Sequence, residues 1–139
     1  MGYASVDFEP ARRPVKKNDT PSVSNLFASL PAPAADETFA ALAESSDTRV
    51  ERIVSHGHST PPGTWLRSDR DEWVILLRGS AALNFRGSED SQKEIPLGPG
   101  DWLTIPAGVE HRVTRTDTSQ PTVWLAVHFR SDKAQRSLD

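Results

Sequence analysis

Four histidines and no cysteine define the side-chain chemistry of this 139-residue chain. His111 is the best placed of the four. It follows Gly98-Pro99-Gly100, a short apolar run from Trp102 to Ile105, and Pro106-Ala107-Gly108. Glycine accepts positive φ and proline fixes its neighbouring turn position, so both flanking tripeptides read as tight turns. An imidazole held at a strand start by such turns ligates a metal, exchanges protons, orients a ligand, or simply hydrogen-bonds a carbonyl. His56 and His58 stand two apart, and in an extended chain both would face one way. His128 shares a face with Trp124 and Ala126 in the closing run Thr122–Phe129. That run is too apolar to say which face is interior.

The positioning elements are mostly strands. Thr48–Ser55, Glu72–Leu77, Ala81–Phe85, Trp102–Ile105, the stretch opened by His111, and Thr122–Phe129 are separated by clusters of Gly, Pro and Asp, and Glu94–Leu97 leads into the turn at Gly98. Many short strands punctuated in this way predict an all-β sandwich or barrel. One helix is expected, over 36–44. Asp36 suits an N-cap, and Phe39, Leu42 and Ala43 fall on one helical face. Val23–Phe27 reads as an edge strand or a cover for the barrel mouth, and Thr64–Arg67 as a short strand. Residues 1–22 are expected to form a flexible arm, 23–130 one domain, and 131–139 a charged tail.

A net charge of −3 gives no support to nucleic-acid binding. The small basic cluster Arg12-Arg13 and Lys16-Lys17 lacks aromatic platforms and reads as a solvated tail. No run approaches the roughly 20 apolar residues that cross a bilayer. The first residues lack a basic region followed by an apolar core, so a cytoplasmic location is expected.

The spacing Gly100, five residues, Pro106, one residue, Gly108, two residues, His111 resembles the second motif of the cupin superfamily, with Arg115 in place of its closing asparagine. Glu72, six residues, Gly79 resembles the end of the first cupin motif. The resemblance implies a double-stranded β-helix, or jelly-roll, barrel. It also implies a divalent transition metal (Zn, Fe, Mn, Ni or Cu) held in the barrel mouth by histidines and a glutamate. His111 and Glu72 match two of those ligands. The positions of the usual His-x-His pair hold Trp65 and Arg67 instead, so His56 and His58 are the candidates to complete the set. Trp65, Arg67 and His128 are expected around a small organic ligand. The implied functions are a metal-dependent dioxygenase or isomerase, or a non-catalytic binding or sensor barrel without metal. Pairing into a homodimer through the Val23–Phe27 edge is a further expectation.

Overall fold

The computed structural model describes residues 20–87 and 93–132. Most of the expected arm, and the tail beyond 132, lie outside these residues. Eight strands form: β1 (Thr38–Glu44), β2 (Thr48–Ser55), β3 (Asp71–Arg78), β4 (Ala81–Phe85), β5 (Ile95–Leu97), β6 (Trp102–Ile105), β7 (His111–Thr116) and β8 (Thr122–Phe129). They make a five-stranded sheet in the order β1-β2-β8-β3-β6 and a three-stranded sheet in the order β5-β4-β7. All pairings are antiparallel.

The inner faces of the two sheets close on one core. Val74, Leu76, Ile105, Trp124 and Ala126 come from the larger sheet, and Ala81, Leu83 and Leu97 from the smaller. This settles the orientation of β8. Trp124, Ala126 and His128 face inward, because Trp124 and Ala126 are core and His128 lines the same interior. Burial of such side chains against a facing sheet is the main force holding a β-sandwich together.

A strand stands where the helix over 36–44 was expected. Thr38 to Glu44 pairs with Arg49 to Val54, with a bulge at Leu42. The alanine-rich segment carries a helical spacing, but pairing with β2 supplies its backbone hydrogen bonds and turns Phe39 into the cavity. Strand formation here depends on the neighbour rather than on local propensity. Val23–Phe27 is not a strand either. A turn occupies 26–29, Val23 is fully exposed, and Asn25 Oδ1 accepts from the Phe27 amide at 2.8 Å. Instead, the Arg52 guanidinium on β2 donates to the carbonyls of Leu26 and Ala28. Thr64–Arg67 reduces to a single bridge between Leu66 and His111. No helix among the described residues is long and apolar enough to cross a membrane.

Gly79 makes the tight β3–β4 connection with φ of 89°. A Cβ there would stand 2.5 Å from Thr122 Oγ1 and 2.8 Å from Thr122 Cα. Gly79→Ala combines positive-φ strain with a clash against backbone, so it is expected to destabilise the fold by more than about 1 kcal/mol. Chemical denaturation reads this directly. Gly63→Ala, also at positive φ but in open space, is the milder control.

Candidate functional site in the barrel mouth

The stretch around His111 is built from both sides. Gly108 donates to Ser68 O at 2.8 Å, and the Ala107 amide donates to Asp71 Oδ1 at 2.8 Å. The Leu66 amide donates to His111 O at 2.7 Å, and the His111 amide returns a bond to Leu66 O at 3.0 Å. The chain before β3 is thus laced to the start of β7. Further up, the Thr60 amide donates to Val113 O, and Val113 donates to Thr60 Oγ1. These bonds place Leu66, Arg67 and Ser68 beside His111.

A cavity of about 190 Å³ opens between the sheets. Ile53, Val74, Leu83, Ile105, Val113 and Trp124 form its apolar lining. Its polar lining comprises Glu37, Glu51, Arg67, Ser68, Glu72, His111 and His128. His111 Nδ1 lies 3.1 Å from Val109 O. A carbonyl only accepts, so Nδ1 carries the hydrogen and Nε2 keeps a lone pair in the neutral ring. His128 is tied differently: its Nε2 lies 2.9 Å from Glu51 Oε2. Glu51 is buried and also accepts from Arg49 Nε at 3.0 Å. Glu72 sits opposite His128 in the β3–β8 register. Burial pushes its carboxyl above the ordinary 4.5, while the imidazoles of His128 and His111 pull it back and the Glu51 carboxylate adds to the rise. The result is a carboxyl group biased towards its neutral form, with an imidazole from each sheet in electrostatic reach.

The structure therefore brings His111, Glu72, His128 and Arg67 to one cavity, and places His56, His58 and Trp65 elsewhere. His56 Nε2 lies 3.1 Å from Pro31 O, and His58 Nε2 lies 2.8 Å from Ala34 O. His58 Nδ1 accepts from the His56 amide at 2.8 Å. The two rings do share a direction, but it is towards the 31–34 segment, which they clasp. Trp65 leaves the cavity too, with the guanidinium groups of Arg86 and Arg112 at 5.7 and 5.9 Å from its ring centre. Among the described residues no three His, Asp or Glu side chains come together in a way that holds a metal ion. His128 Nε2 is already engaged by Glu51, and the position of the expected second histidine carries the cationic Arg67. The donor set does not fit a three-histidine, one-glutamate centre.

Two further carboxylates were not anticipated. Glu51 and Ile53 alternate inward on β2, a period-two signal obscured because the outer face of β2 is covered as well. Glu37 precedes β1 and accepts a short hydrogen bond from Ser55 Oγ, which in turn accepts from Trp124 Nε1 at 3.2 Å. No local spacing marks it, because the clasped segment delivers it.

His58→Ala removes that ring's two bonds, one to Ala34 O and one from the His56 amide, each worth about 1 kcal/mol, and leaves His56 on Pro31 O. Amide hydrogen exchange is expected to quicken across 34–44 while β3 and β8 keep their protection. Glu72 gives a pH signature. Both states hold the proton at acid pH. As pH rises from about 4.5 towards the higher folded value, the unfolded chain releases it first, so stability falls across that window. Denaturation curves of Glu72→Gln should lack this decline.

Comparison with known proteins places this geometry. The family model for the cupin domain matches residues 51–128. A proposed mannose-6-phosphate isomerase from Ralstonia eutropha JMP134 is 45% identical, with a TM-score of 0.75, over 80% of this chain and 100% of that one. An RmlC-like cupin with a double-stranded β-helix fold from Methanocaldococcus jannaschii shares the fold at 14% identity, with a TM-score of 0.55, over 77% of this chain and 92% of that one. Acireductone dioxygenase of Leishmania braziliensis is 32% identical over 65% of this chain, and the match spans only 21% of that protein's length. With the motif spacing around His111, the two packed sheets and a family match over more than half its length, the chain belongs to the cupin domain family.

Proposed function

We propose that this cupin binds a small organic molecule in the barrel mouth and moves a proton on it without a metal ion, in the manner of an isomerase. The observation that carries this reading is the meeting of Glu72, His111 and His128 in one largely apolar cavity. A carboxyl whose proton affinity is raised by burial donates a proton, and a neutral imidazole accepts one. In the step envisaged, the C–H bond next to a carbonyl breaks and its proton passes to His111 Nε2. The electron pair becomes a C=C bond, and the carbonyl oxygen takes the proton of Glu72. Reprotonation at carbon completes an isomerisation or restores the starting compound. The likeness to a proposed isomerase at 45% identity favours the same class. A metal-dependent reading has one observation behind it, namely that His111 and Glu72, the two motif-matched residues, line the same cavity.

Exchange of carbon-bound hydrogen separates the two readings. In D₂O, wild-type protein stripped with chelator is expected to speed deuterium entry into pyruvate, followed by NMR. Glu72→Gln should lower that rate by about a hundredfold. Exchange that disappears on chelation and returns with one equivalent of a transition metal would overturn the metal-free reading.

A further inference from the structure

We infer that the ligand carries a single carboxylate, and that Arg67 is the residue that selects it. This inference rests on the cavity-binding reading above and deepens it by naming the ligand class.

Arg67 lines the cavity, and among the described residues its guanidinium has no hydrogen bond or ion pair. Each neighbouring acid is otherwise occupied. Glu37 is bound by Ser55, and Glu51 by Arg49 and His128. Glu72 lies against the two imidazoles and is biased towards neutrality. The cation is therefore free for a visitor. Its backbone is not free to drift: Leu66 on one side is doubly bonded to His111, and Ser68 O on the other accepts from Gly108. A guanidinium on so fixed a base presents a planar fork of donors that matches a carboxylate in two parallel bonds.

Charge and size narrow the choice. One guanidinium neutralises one carboxylate. A phosphate dianion would bring a second negative charge beside Glu37 and Glu51, with no further unpaired Lys or Arg lining the cavity among the described residues. The space is about 190 Å³, roughly six water molecules' worth at about 30 Å³ each. With apolar walls of Ile53, Val74 and Leu83 behind the charged rim, that suits a short-chain hydroxy or oxo acid.

Thermal unfolding with a matched panel tests the assignment: pyruvate and L-lactate, their neutral amides, and glycerol 3-phosphate. Both acids are expected to raise the unfolding midpoint, because a ligand that binds only the folded state stabilises it. The amides and the phosphate should leave it unchanged. Arg67→Met, at an exposed position that should not disturb folding, is expected to weaken acid binding at least about tenfold by calorimetry. Arg67→Lys keeps the charge, loses the fork and should fall between. Amides that bind as well as acids, or acids that bind Arg67→Met unchanged, would overturn the carboxylate assignment and leave the cavity-binding reading standing. A preference for the phosphate would do the same. No shift from any compound would remove both.

Discussion

The pair of backbone hydrogen bonds between Leu66 and His111 is the constraint on which the rest depends. Through it the segment before β3 and the first residue of β7 hold a common position. One end of that tie carries an imidazole and the other a guanidinium on the adjacent residue, so two chemically active groups share one rigid mount. Side-chain placement on hydrogen-bonded backbone is far more exact than placement on a loose loop. The neighbouring bonds from Ala107 to Asp71 and from Gly108 to Ser68 extend the same lacing to the first residue of β3, next to Glu72.

A second constraint comes from outside the barrel. The segment from Leu26 to Glu37 is fastened by Arg52, His56, His58 and Ser55 in turn. Its far end delivers Glu37 and Phe39 to the cavity wall. The His-x-His pair thus works in architecture rather than in ligation. Both Nε2 atoms are engaged by carbonyls and His58 Nδ1 by a backbone amide, which holds the two rings against the 31–34 segment and away from the cavity.

Much of the fold was legible because its signals are local. Thr48–Ser55, Ala81–Phe85, Trp102–Ile105 and Thr122–Phe129 are bounded by turn residues, and the strands begin and end there. His111 and Glu72 could be read as site residues from motif spacing, and both line the cavity. What escaped depends on long-range pairing. The 36–44 segment carries a helical apolar spacing, and only β2 makes it a strand. The inward face of β8 is decided by the opposing sheet, since both of its faces are apolar. The His56–His58 spacing shows that the two rings face together but not what they face. Trp65 and Arg67 flank the bridging Leu66, and only Arg67 reaches the cavity, a division set by the tie to His111.

The picture proposed is a cupin barrel whose mouth uses the Arg67 cation and the half-buried Glu72 carboxyl, its proton affinity raised by burial, where a metal ion would otherwise supply positive charge. Long-range proton–nitrogen NMR of histidine-labelled protein, titrated with Mn²⁺, examines that picture at the atoms involved. The hydrogen should sit on Nδ1 in His111 and on Nε2 in His128, with the His111 signals unbroadened by the ion. Selective broadening of His111 Nε2 at one equivalent of Mn²⁺ would contradict it.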